Sequence, residues 1–385
     1  YVQYRQGIAL LKMNKIDAAT LSFQTLQTNF PQSKYLNEVQ YYLAVSYFNK
    51  ETWSEAKEKI LEFIKNVPPP NELLAEANYI LGLSLYNLKE YPQAVETFQK
   101  IIKNFPEETA VVKNSELNIA KCFYQMQNSE EAKKTLKLIS LKYADSEVAE
   151  EALILLGDYY LDEGDLDNAL TYYQEIINKF PNSSKRNIAY YEIGQVYQAK
   201  KEFSSAIDAF KKVNSPEGAE INTKAKMAIA DIFSKELNSQ LSIETYQGII
   251  DSSPEYKKDA LTKLADIYKA TKEYDKVIQT LTLAMQSEQL SSETTNPQIQ
   301  FLIADTYETI HEKDKAVENY LKIPYIYPEA KNWGIKSFLR IAKIYEDDEK
   351  WEEAKTIYEK ASELNLEESK FANERLEWIN QNIFP

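Results

Sequence analysis

The chain is poor in the residues that most chemistry needs. It holds one histidine, His311, and one cysteine, Cys122, among 385 residues. A single cysteine excludes an intramolecular disulfide and a cysteine-based zinc site. A single histidine leaves most general acid–base schemes without their usual residue. Glycine is scarce, at eight, which disfavours phosphate-cradling loops and strand-rich folds with many tight turns. No Gly-x-Gly-x-x-Gly run, Walker motif or Ser-His-Asp set is present. No apolar run approaches the ~18 residues of a membrane span. Lys and Arg number 45 against 59 Asp and Glu, a net charge of −14 shared by both halves of the chain. That balance argues against nucleic acid, which is bound when Lys and Arg displace its counterions. The expectation is a protein that is not an enzyme, with no catalytic residue, no metal and no cofactor. The chain opens at Tyr1 inside a helical pattern, without a charged-then-apolar leader, and reads as a mature or trimmed chain.

What is there is a repeat. Small residues recur at Gly7, Ala44, Gly82, Ala120, Gly157, Gly194, Ala230, Ala265, Ala304 and Ala342, spaced 35 to 39 residues apart. Twelve residues after each stands another position, filled by Ala19, Ala56, Ala94, Ala132, Ala169, Ala206, Ser242, Val277, Ala316 and Ala354. Sixteen after it comes a large apolar residue in every unit: Phe23, Ile60, Phe98, Leu136, Tyr173, Phe210, Tyr246, Leu281, Tyr320 and Tyr358. Pro31, Pro68, Pro106, Pro181, Pro254 and Pro328 lie twenty-four residues after it. Apolar residues recur at three- and four-residue steps, the mark of amphipathic helices. The pattern predicts two antiparallel helices per unit, A and B, brought close by the small residues. Proline stops helix B, and Thr52 with Glu55 is expected to form a capping box at one helix B start. One hairpin cannot bury its own apolar face, so the units must stack.

These positions resemble the tetratricopeptide repeat, whose W-x2-L-G-x2-Y, A-x3-F and P pattern appears in the second unit as "YLAVSY", Ala56 with Ile60, and Pro68. The Trp position of that pattern is not kept, and the seventh and eighth units lose the helix B alanine. The resemblance implies an all-α fold: a right-handed α-α superhelical solenoid of about ten helix pairs over 1–367, with a C-terminal capping helix in 368–385. The period exceeds 34 residues, with the excess after the proline, as in "FPQSKYLNEVQYYLAVSY". This long form is similar to the repeats of bacterial envelope proteins, such as the outer-membrane barrel-assembly lipoprotein and the Tol-Pal-associated division coordinator. The resemblance thus implies a periplasmic or cell-envelope location, with the cytoplasm as the alternative.

Alignment of the units gives most conspicuous residues a structural reading. His311 falls in the turn of the ninth unit, and Cys122 lies on a helix A, where a buried, inert thiol is expected. The acidic run "DYYLDEGDLDNAL" at 158–170 lacks the alternating ligands and closing Glu of a calcium loop. It occupies the A-to-B turn, with Gly164 as a helix C-terminal glycine.

In the family, helix A lines the concave groove. The positions three before, one after and four after the small residue form one stripe by helical spacing. In units one to three this stripe is Tyr4, Ile8, Leu11, Tyr41, Val45, Phe48, Tyr79, Leu83 and Tyr86, all apolar or aromatic. Later it turns acidic, with Asp158, Asp231, Asp266, Asp305 and Glu308 as a secondary groove and Glu346 one turn on. The expected function is a protein–protein interaction scaffold. Its partner would be a protein, held through an extended or helical segment with an apolar and a basic part. The competing reading is a structural subunit of a large assembly, joined by solenoid surfaces.

Overall fold

The structure is a computed structural model, and it describes residues 1–214, 220–236, 238–287 and 294–384. The expected helices are present. In order they are α1 (Val2–Lys12), α2 (Ile16–Asn29), α3 (Leu36–Asn49), α4 (Trp53–Asn66), α5 (Leu74–Asn87), α6 (Tyr91–Asn104), α7 (Thr109–Gln125), α8 (Ser129–Lys142), α9 (Glu147–Asp162), α10 (Leu166–Lys179) and α11 (Arg186–Ala199). There follow α12 (Phe203–Phe210), α13 (Glu220–Lys235), α14 (Ser239–Ser252), α15 (Lys257–Ala270), α16 (Tyr274–Gln286), α17 (Asn296–Thr309), α18 (Lys313–Ile326), α19 (Lys331–Asp347), α20 (Trp351–Glu363) and α21 (Ser369–Asn382). No strand occurs among the described residues. Contacts divide the chain into two compact halves, Tyr1–Lys200 and Lys201–Pro385. Within each half, consecutive helices pack as A/B pairs, and each pair packs on the next, as in a tetratricopeptide solenoid. The span expected for the array, 1–367, crosses the segments that lie outside the described residues.

The small residues do what the pattern requires. A Cβ added at Gly7 would lie 2.4 Å from Phe23, at Gly82 2.5 Å from Phe98, and at Gly157 2.4 Å from Tyr173. In each case the helix B ring rests on the bare backbone of helix A. The second unit solves the same packing with Ala44 against Ile60, both fully buried.

Nine A-to-B turns among the described residues use one left-handed residue, seven after the small residue. Asn14, Glu51, Lys89, Gln127, Gly164, Lys201, Lys272, His311 and Glu349 have φ between 56° and 78°. The next N–H then reaches back five residues, as from Lys15 to Leu10 at 2.9 Å and Glu90 to Leu85 at 2.8 Å, capping helix A in the Schellman manner. His311 is therefore the hinge residue of one turn, and only the fifth unit fills this place with glycine. Cys122 is fully buried, and burial pushes its thiol up to about 12.

Proline ends helix B as expected: α2, α4, α6, α10, α14 and α18 each stop two residues before theirs. The residue just before each proline is kept out of helical geometry by the ring that follows. The capping box does not form. Thr52 is the N-cap of α4, but its hydroxyl donates back to the Tyr47 carbonyl at 3.0 Å and accepts no amide. That carbonyl also accepts the Thr52 N–H at 3.0 Å, so the turn bond that caps helix A draws the hydroxyl to the same oxygen.

Candidate protein-binding site

The stripe on helix A is positioned by the packing just described. With the small residue turned toward helix B, the residues at −3, +1 and +4 fall on the neighbouring face. In the first three units the −3 tyrosines tie one repeat to the next. Tyr4 and Tyr41 are buried, and their hydroxyls donate to Glu38 and, at 2.7 Å, to Glu76 on the following helix A. Tyr79 is half-buried and accepts from Asn118 Nδ2 at 3.1 Å. Burial raises the pKa of all three phenols, and for Tyr4 and Tyr41 the adjacent carboxylate adds to it. They stay neutral donors or acceptors.

The other six residues are half-buried. Ile8 and Leu11 pack on the core around Phe23, while Val45, Leu83 and Tyr86 lean on the core of the second and third units. Phe48 meets Trp53 edge-on, centroids 4.9 Å apart, and Tyr86 meets Tyr91 likewise at 5.5 Å. Trp53 and Tyr91 open their helices B and extend the apolar stripe around the A-to-B turn. Sequence reasoning missed both. Their signal was an aromatic nine residues past the small residue in the second and third units, where the +4 position is aromatic too.

The later acids are brought together with internal partners. Asp158 accepts from the Tyr173 hydroxyl at 2.7 Å, and Asp231 accepts from Tyr246 with Lys263 at 3.7 Å. Asp305 pairs with Lys269 at 2.7 Å. Glu308 takes the Tyr320 hydroxyl at 2.9 Å and Arg340 at 2.8 Å. Glu346, buried beside Tyr358, accepts two donations from Arg375, at 2.9 and 2.7 Å. Asp266 lies in the field of Lys263 and Lys269, and desolvation still raises its pKa. Burial likewise raises Asp158, against the hydrogen bond from Tyr173. These carboxylates therefore have roles inside the fold. Among the described residues no three metal-ligating side chains converge, and no described helix is long and apolar enough to cross a membrane.

Comparison with known proteins agrees with this architecture. Residues 2–116 match the family YfiO, described as an outer membrane lipoprotein. Residues 115–146 and 151–183 match one tetratricopeptide repeat family, and 188–215 and 335–368 match another. No curated protein sequence matches the chain. Among solved structures, a tetratricopeptide repeat protein from Parabacteroides merdae is 13% identical with a TM-score of 0.45, over 70% of this chain and 98% of that one. A structure from the functional characterization of Pseudomonas aeruginosa pilF is 14% identical with a TM-score of 0.41, over 57% of this chain and 94% of that one. These scores add no argument of their own; the family matches and the internal repeat carry the assignment. Tetratricopeptide repeats are interaction modules that bind protein partners, which supports a scaffold role in general. The chain is a tetratricopeptide-repeat protein, and it resembles the tetratricopeptide-repeat proteins of the bacterial envelope.

Proposed function

We propose that the chain is a non-enzymatic scaffold of a bacterial cell-envelope complex, and that its first three repeats hold an apolar segment of a partner protein. The observation that carries this reading is a contrast along one stripe. In units five and later the stripe's acids take internal hydroxyls, lysines and arginines. In units two and three Phe48 meets Trp53 and Tyr86 meets Tyr91 at the groove edge, with part of each ring open and one long hydroxyl contact, Tyr91 to Gln125 at 3.5 Å. Aromatic side chains offer large contact area with few torsions to freeze, which suits a segment-binding surface. The basic part first expected of the ligand is not needed, since the acids already have partners. The match of residues 2–116 to an outer membrane lipoprotein family supports the envelope setting for the same repeats. On this reading α21 closes the array, as its polar outer face allows.

Photo-crosslinking in cells tests it. A benzophenone amino acid at Phe48 or Tyr86 is expected to capture one partner, while the same group at Leu61, exposed on helix B of the second unit, captures none. Equal adducts at Leu61, or none at either groove position, would place binding elsewhere.

A further inference from the structure

We propose that the outward face of α8 is a docking surface for an anionic lipid bilayer. Residues 133–142 read "KKTLKLISLK", four lysines with no acid, in a chain of net charge −14. The helix turns Lys134, Lys137, Leu138, Leu141 and Lys142 outward, a stripe set by three- and four-residue steps. Leu138 is 59% and Leu141 71% exposed. Among the described residues α8 alone carries apolar side chains at both of these repeat positions. The other helices B pair Glu62 with Lys65, Lys100 with Lys103 or Glu175 with Asn178 there.

Of the outward lysines, Lys137 is held by tyrosines, while Lys134 and Lys142 each face one carboxylate. Lys137 donates to the Tyr160 hydroxyl at 2.8 Å and lies over the Tyr160 and Tyr172 rings. Lys142 lies over Tyr143, as does Lys113 from α7, and pairs with Glu116 at 2.7 Å. Lys134 meets Glu131 only at 3.4 Å on the exposed surface. Glu130 and Glu163 are taken by Lys133 beneath. Two leucines a turn apart on a helix form a protrusion. An acyl boundary admits it without a preformed pocket, whereas a protein partner would have to supply one. Lysines around apolar tips, with tyrosines at their edge, match the layering of headgroup and hydrocarbon.

Co-sedimentation of the full chain with vesicles tests this. Vesicles of phosphatidylcholine with phosphatidylglycerol are expected to pellet the wild type at low salt, and phosphatidylcholine alone is not. Leu138→Ser/Leu141→Ser and, separately, Lys134→Gln/Lys137→Gln should reduce pelleting to the phosphatidylcholine level with an unchanged far-UV circular dichroism spectrum. Wild-type protein left in the supernatant, or a leucine variant that pellets like wild type, overturns the assignment. A crosslinker at Leu138 that captures an acidic protein while vesicles capture nothing would overturn it in favour of protein docking. None of these outcomes depends on what the groove of the first three repeats binds.

Discussion

Phe98 and Tyr173 occupy the same place in their repeats, each ring lying on a glycine of helix A. One hydroxyl separates them, and it decides what helix A must carry opposite. Unit three has Leu83 there, and unit five has Asp158 to take the hydroxyl. Tyr246, Tyr320 and Tyr358 likewise stand by Asp231, Glu308 and Glu346. A buried hydroxyl without a partner costs about 1–3 kcal/mol, while replacing both partners by apolar groups is close to neutral. Asp158→Leu alone should therefore destabilise by about that amount, because Tyr173 is fully buried. Asp158→Leu/Tyr173→Phe, which copies unit three, should recover most of the melting temperature. If the double variant melts no higher than Asp158→Leu alone, the two residues are not coupled. Burial also holds Asp158 above the usual carboxylate range. A carboxyl raised in the folded state contributes stability that is full below its unfolded pKa, about 3.9, and is lost as pH rises through its folded value. Asp158→Asn should thus gain on wild type at pH 7, with the difference shrinking toward pH 4. A gain that grows on acidification would mean that the Tyr173 bond outweighs burial.

At the scale of the element, α21 is informative because it copies the buried face of a helix A without its small residue. Helix A buries the positions five before and two after its small residue, as in Ala77 and Ser84, Ala152 and Tyr159, or Ala260 and Ile267. In α21 the corresponding Ala372 and Ile379 are fully buried against the tenth repeat. The place of the small residue is Glu377, exposed, with Asn373 and Asn380 exposed on the same side. One apolar and one polar face is what an element needs to cover the end of a stacked array. Deleting residues 367–385 would bare Ile357, Tyr358 and Ala361 of α20 and strip Arg375 from buried Glu346. The truncated chain should associate with rising concentration in light scattering while the full chain does not. A monodisperse truncation would show that α20 needs no cover. The helices, their pairing and their stops were legible in the sequence because small residues and prolines recur at fixed spacing, which ten copies make hard to misread. The Thr52 capping box was misread, since the preceding turn folds Thr52 back onto the Tyr47 carbonyl, which takes both its N–H and its hydroxyl. The acids of the stripe were read as a surface for ligand, and their pairing with tyrosines sixteen residues past the small residue became visible only with both helices in place. Yet the signal was there: each of Tyr173, Tyr246, Tyr320 and Tyr358 has an acid at one of two positions in its own unit.

For the whole molecule, the question is how far a local fault travels. Contacts within each half join consecutive helices and the helices A of neighbouring repeats, and side-chain ties such as Tyr41 to Glu76 reach one repeat onward. Stability in such an array is a sum of repeat and nearest-neighbour terms. Gly82→Ala is a sharp way to load one repeat, because the added methyl would sit 2.5 Å from a ring carbon of Phe98, which is fully buried. Overpacking of this kind costs about 1–3 kcal/mol. Hydrogen exchange read by mass spectrometry should then show lost protection in α3 to α8 and wild-type rates beyond residue 147. Adding Phe98→Ile, which copies Ala44 against Ile60, should restore protection in the same helices. Protection lost evenly along all the helices would mean instead that the repeats unfold as one cooperative body, and that the nearest-neighbour description fails for this chain.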